Sequence, residues 1–240
     1  MRLIFDCLVL EITRRCNMNC AHCLRGPAQN LDMDPKIIDR VTTQVNHIHS
    51  ITFSGGEPSL NGAAIEHFRW ASFFFNCSFE YFWLTINARM FKENFYTALW
   101  ELYSLAGDPE ACVLTISGDQ YHGIRSNRAM MKYQDLPFFS YEKMDDIPDG
   151  ALLDEGMASI NQLGAYRQVD LQKELQNAEW DNESDTLYVG DTIYINAKGD
   201  VLLGCDLSYK SQKKHAVGNV LTEPLADILS RQLPQRVQSA

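Results

Sequence analysis

The sequence predicts an α/β chain built on a parallel sheet, with a small β-hairpin near its C-terminal end. Two observations carry this. Strand-type and helix-type segments alternate over the first 140 residues, and such alternation calls for a parallel sheet with right-handed crossovers. From about residue 186 the pattern changes: apolar runs at 187–195 and 201–203 flank Asn196-Ala197-Lys198-Gly199-Asp200, a hairpin turn. The hydrophobic share of 45% in 240 residues is enough for a real core.

Residues 8–12 read as a short buried strand, and a cysteine-rich loop follows. Residues 35–46 read as a helix, with Asp34 as N-cap and Pro35 in the first turn, where the missing N–H has no partner to lose. Residues 50–53 are a second strand ending in Ser54-Gly55-Gly56-Glu57-Pro58, followed by a helix over 61–75. The third strand, 79–86, is rich in aromatics and stops at Asn87. A helix over 92–105 precedes a fourth strand, 111–116, which runs into Ser117-Gly118-Asp119-Gln120-Tyr121-His122. Residues 125–133 read as helical, 137–141 and 151–153 as candidate strands, and 224–231 as a closing helix.

The net charge of −10 argues against a broad phosphate-binding surface, so no nucleic acid is expected as a partner. No apolar run approaches the ~18 residues of a membrane span, so no membrane is expected either. The start, Met-Arg-Leu-Ile-Phe-Asp-Cys, has an early acid and no small-residue cleavage site, unlike a signal peptide. Seven cysteines without a paired framework fit a reducing compartment. The expected location is cytoplasmic.

Three of those cysteines, Cys16, Cys20 and Cys23, stand in Cys-Asn-Met-Asn-Cys-Ala-His-Cys. Chance places this spacing in roughly 0.6% of chains of such composition. Zinc modules usually carry a second close ligand pair downstream, and this sequence has none. Three thiolates on one loop can hold three irons of a four-iron cluster and leave the fourth open for chemistry. In parallel α/β folds, active sites form at the C-terminal ends of the strands. By that rule the cysteine loop, the Gly55-Gly56-Glu57-Pro58 turn, Thr85 with Asn87, and Ser117, Asp119, Tyr121 and His122 meet on one rim. Cys7, Cys77 and Cys112 precede strands and are expected at the far end as small buried hydrophobes. Cys205, on the hairpin, stays open.

With these residues the chain resembles the radical SAM superfamily. Its two most specific signatures are CxxxCxxC after the first strand and Gly-Gly-Glu-Pro after the second. The resemblance is clear over the first 120 residues. It implies a partial (β/α)6 parallel barrel over residues 1–180 and a small C-terminal β-hairpin module over 181–240. It implies that Cys16, Cys20 and Cys23 hold a [4Fe–4S] cluster whose open iron binds S-adenosyl-L-methionine. His22 would pack near the adenine. Gly55 and Gly56 would let the backbone approach the methionyl ammonium, and Glu57 would favour that cation. Asn87 and Ser117 would contact ribose or carboxylate. Asp119, Tyr121 and His122 would face substrate, Asp119 and His122 as catalytic groups. Plainer readings stand beside these: a loop histidine, a tight turn, helix or turn caps, a capping Asp with a surface His.

The implied reaction is reductive cleavage of S-adenosylmethionine to methionine and a 5′-deoxyadenosyl radical, which takes a hydrogen atom from an unreactive C–H bond. The implied partners are a peptide, including a ribosomally made one, or a small metabolite, and an electron donor such as flavodoxin or ferredoxin. Leu153-Asp154-Glu155-Gly156-Met157-Ala158 resembles a Glu-Gly-Arg-Ala turn of the family, with Met157 in the arginine's place. The stretch from Gly199 to Cys205, with Gly218-Asn219-Val220, resembles a reduced SPASM or twitch extension. Cys205 alone cannot build a four-cysteine auxiliary cluster, so a hairpin lid without a cluster is expected. Competing readings are a glycyl-radical activase, a 7-carboxy-7-deazaguanine-type synthase, and a non-catalytic iron–sulfur or zinc protein. The last has no need of Gly-Gly-Glu-Pro.

Overall fold

A computed structural model describes residues 1–123, 125–140, 147, 151–163 and 174–234. At its centre β1 (Arg2–Thr13) is hydrogen-bonded in parallel to β2 (Val45–Gly55) on one side and β7 (Thr186–Ile195) on the other. Beyond β2 lie β3 (Ser78–Ile86), β4 (Val113–Ile116) and β5 (Phe139–Ser140), all parallel. Beyond β7 lie β8 (Asp200–Leu203) and β9 (Gly218–Asn219), both antiparallel, and β6 (Ala178–Asp181) also pairs with β7. The helices are α1 (Pro35–Thr42), α2 (Gly62–Phe75), α3 (Glu93–Tyr103), α4 (Asn127–Tyr133), α5 (Gly156–Ile160), α6 (Tyr209–His215) and α7 (Leu225–Ser230). This is the expected α/β class with a mostly parallel sheet. Among the described residues no helix is long and apolar enough to cross a membrane.

The pleat of β1 gives its two faces different chemistry. Leu8, Leu10 and Ile12 enter the main core with Ile51, Phe53, Phe82 and Leu84, closed over by Ile37, Ile38, Ile65, Phe68 and Leu99 of the helices. The opposite phase carries Val9, Glu11 and Thr13, all buried. Val9 joins Tyr194, Leu202 and Leu207 in a second, small apolar cluster. The polar residues of this phase approach the strand's C-terminal end, beneath the cysteine loop.

Several elements differ from the sequence reading. β1 begins at Arg2 rather than at residue 8, because β2 and β7 pair along both of its edges. Cys7 therefore does not precede the strand; it sits within it, opposite Ser50 and Thr192. Cys77 and Cys112 are buried just before β3 and β4, as small core residues. The helix expected over 35–46 stops at Thr42, where Thr43 caps it and Val45 pairs with Leu3; its N-cap is Asp34, which accepts from the Lys36 amide at 2.9 Å. Of the candidate strands, 137–141 is realised as β5, with position 141 outside the described residues, and 151–153 yields a single bridge at Leu153. The hairpin at 187–203 is present as β7 and β8. It extends the main sheet through β1, because Leu187, Val189, Ile193 and Ile195 share the main core. β6 and α6 had no counterpart in the sequence reading.

Candidate functional site

The C-terminal ends of β1 to β4 converge on a cavity of about 210 Å³. Cys16, Cys20, His22 and Cys23 line it from the loop after β1, and Gly56 and Glu57 from the turn after β2. Thr85 and Asn87 line it at the end of β3, Ser117 and His122 after β4. Gly55 and Asp119 stand behind the wall, Gly55 as the last residue of β2 and Asp119 bonded to His122.

All three cysteines are free and half-buried. Burial, then the neighbouring Cys16 and Cys23, push the Cys20 thiol up to about 11. Burial also raises Cys16, against a hydrogen bond from the Met18 amide. Such crowding of like groups is what a bound cation relieves. The three Sγ atoms are too widely spread to gather within 4.8 Å of one another. A single tetrahedral zinc holds its sulfurs only about 3.8 Å apart, given Zn–S bonds of about 2.3 Å. Three free thiols on one loop are the donor chemistry of an iron–sulfur cluster, so the residues fit the group that the sequence suggested.

The glycines after β2 are required by the protein's own backbone. Gly55 has φ +149, and a Cβ there would lie 2.0 Å from the Thr13 carbonyl oxygen. At Gly56 a Cβ would lie 2.4 Å from the Arg15 carbonyl oxygen. The Gly56 and Glu57 amides donate to those same two carbonyls at 2.9 and 2.8 Å, tying the turn to the cysteine loop. The Glu57 carboxylate is buried and engaged. Oε1 accepts from the Ser59 amide and hydroxyl, and Oε2 from the Asn87 amide at 2.9 Å. Burial pushes its pKa up, against the pull of these hydrogen bonds. Glu57 thus joins the ends of β2 and β3. Asn87 in turn donates to the Asn17 side chain at 2.7 Å and caps the Arg89 amide. The Ser117 carbonyl accepts from Arg125.

Asp119 accepts from the Tyr121 amide at 2.9 Å and from His122 Nδ1 at 2.8 Å. It is therefore both a turn cap and the orienter of a histidine. Burial pushes its carboxyl up, but the His122 and Tyr121 hydrogen bonds outweigh that and hold it low. His22 stacks on Tyr121 at 4.4 Å and meets His122 edge-on at 5.1 Å. Burial lowers the His22 pKa, against the attraction of Asp119.

The back of the cysteine loop is held by residues the sequence reading missed. The Ala21, Cys23 and Arg25 carbonyls accept from Asn161 Nδ2, the Met157 amide and the Tyr209 amide at 2.9, 2.8 and 3.0 Å. Gly156, in the Glu-Gly-Met-Ala turn, has φ +58, and a Cβ there would lie 2.4 Å from the Cys23 carbonyl oxygen. Glu155 accepts from the Ser208 amide and the Ser211 hydroxyl, fixing the start of α6. Beneath the loop, Glu11 accepts from Arg14 Nε and Tyr194 Oη at 2.6 Å, Gln212 Nε2 at 2.8 Å and the Ala197 amide at 3.1 Å. One signal could have revealed this network: a carboxylate in the otherwise apolar run Leu8-Val9-Leu10-Glu11-Ile12.

Cys205 is half-buried on the far side of Arg25, whose guanidinium donates to the Cys205 and Leu207 carbonyls. Its thiol meets Asp206, not a second cysteine. Cys205→Ser is expected to leave the iron content of reconstituted protein unchanged. Loss of a second set of irons in that variant would show an auxiliary cluster.

No family model matches the chain. A curated, uncharacterised protein of Methanocaldococcus jannaschii is 37% identical over 101 residues, 40% of this chain and 35% of that protein. The chain thus matches about a third of that relative's length. A solved structure of anSMEcpe with bound AdoMet and Cp18Cys peptide has a TM-score of 0.54 at 12% identity, covering 98% of this chain and 82% of that one. Streptococcus suis SuiB bound to precursor peptide SuiA gives 0.46 at 14%, covering 92% and 64%. The anSMEcpe likeness shows a shared fold along nearly the whole chain.

Proposed function

We propose that the chain is a radical S-adenosylmethionine enzyme, with a [4Fe–4S] cluster on Cys16, Cys20 and Cys23, acting on a peptide. One observation carries the reading. Three free thiols share a cavity with the Gly56-Glu57 turn, Asn87 and Ser117 at consecutive strand ends. Bound together, a cluster and S-adenosylmethionine supply one-electron cleavage of the sulfonium and hydrogen-atom abstraction. The chain's own residues hold and orient. Gly55 and Gly56 let the end of β2 lie against the cysteine loop, and Glu57 locks that turn to β3. Asn87 and Ser117 offer polar groups to a ligand in the cavity. His122 is held through Nδ1 by Asp119, and its ring faces the cavity. The peptide class is supported by the shared fold with anSMEcpe, whose solved structure carries both AdoMet and a peptide.

Anaerobic reconstitution tests this. The protein is expected to take up about four irons per chain and, with dithionite and S-adenosylmethionine, to release 5′-deoxyadenosine. Zinc uptake with no iron would sink the proposal.

A further inference from the structure

We infer that His22, Asp119 and His122 form a second metal site, for a borderline divalent cation such as Zn(II), Co(II) or Fe(II), distinct from the cysteine thiols. One donor atom from each residue lies within 4.8 Å of the other two, and this is the only such group of His, Cys, Asp or Glu among the described residues. Two imidazoles and one carboxylate are a donor set that suits zinc and non-haem iron.

The hydrogen-bond accounting points the same way. The Asp119 side chain is only 5% exposed, yet both hydrogen bonds it accepts, from the Tyr121 amide and His122 Nδ1, end on Oδ1. Oδ2 lies 3.8 Å from His22 Nε2, too far for a hydrogen bond. His22 Nδ1 is buried with no partner. Donors bound to one cation at about 2.0–2.2 Å stand roughly 3–4 Å apart, and the 3.8 Å between Oδ2 and Nε2 is a spacing that a shared cation bridges. Tyr121 stacks on the His22 ring at 4.4 Å and holds its plane.

The site would join two loops. His22 lies between Cys20 and Cys23, while Asp119 and His122 follow β4. Three protein donors leave the fourth position of a tetrahedral ion for water or a substrate oxygen or nitrogen. His22 and His122 both line the cavity, so that position adjoins the proposed reaction site.

The inference does not rest on the cluster reading, and its test removes the cluster's ligands. In the full chain carrying Cys16→Ser, Cys20→Ser and Cys23→Ser, Co(II) is titrated by visible absorption and calorimetry. One Co(II) per chain is expected, with d–d bands of nitrogen–oxygen ligation and no thiolate charge-transfer band. Adding Asp119→Asn or His122→Ala is expected to weaken binding by about 100-fold. Circular dichroism checks folding, and the His122 variant decides if the Asp119 variant unfolds. Absence of Co(II) binding, thiolate-type bands, or affinity unchanged in a folded His122→Ala variant overturns the site. Failure of the wild-type protein to load iron would bear on the cluster alone.

Discussion

Replacing Cys20 with alanine is expected to abolish release of 5′-deoxyadenosine from S-adenosylmethionine and to cut bound iron to a small fraction of the wild-type value. Cys20 is the central member of the triplet, and two remaining thiols on one loop do not hold three irons. The effect is chemical rather than structural. The side chain is half-buried on a surface loop, and its own carbonyl, which accepts from the Cys23 amide, remains in the variant. Stability should therefore change by less than about 1 kcal/mol. The measurement pairs iron content and product chromatography with a denaturant midpoint. A folded Cys20→Ala protein that still cleaves the cofactor at the wild-type rate would refute the ligand assignment.

Replacing Glu11 with alanine is expected to destabilise the fold by about 3–5 kcal/mol, the range for removing one partner of a buried ion pair. Glu11 is wholly buried and is paired with Arg14 at 2.6 Å. Its loss leaves the guanidinium without its carboxylate, and leaves the Tyr194 hydroxyl, the Gln212 amide and the Ala197 N–H without an acceptor. Among the described residues the Arg14 guanidinium then keeps Gln29 and Gln212 as hydrogen-bond partners and the Tyr209 ring beneath its charge. Glu11→Gln keeps the shape and is expected to lose less. Chemical denaturation with unchanged slope would report the difference. A loss below about 1 kcal/mol for Glu11→Ala would mean that the network contributes little net stability.

The rim was legible because it follows a local rule. Residues after β1, β2, β3 and β4 meet wherever strands run parallel, and the motifs at 16–23 and 55–58 stand at those ends. The reason for the glycines was not legible: Gly55 and Gly56 face the carbonyls of Thr13 and Arg15, and that contact arises only when β1 and β2 align. The extent of β1 was hidden for a similar reason. Arg2 and Asp6 interrupt its apolar pattern, and the strand is completed by ladders on both edges. The helix read to residue 46 ended early because Val45 found a partner in Leu3. Most remote of all are the donors to Glu11. Tyr194, Ala197 and Gln212 reach it only after β7 has docked, and no local periodicity announces a pairing so distant in the chain.

That docking is expected to come late in folding. β1 has β2 as a nearby partner, but its other edge is matched only by β7, through pairs such as Leu8 with Ile193. Closing so long a loop is slow compared with forming the neighbouring β–α units. Until it happens, a long apolar strand in the middle of the finished sheet stands as an open edge, the condition under which chains pair with one another. The Arg14 network and the Tyr209 contact beneath the cysteine loop need the same step, because Tyr194, Gln212 and Tyr209 all lie in or beyond β7. Shelter from aggregation and a finished setting for the thiols therefore arrive together.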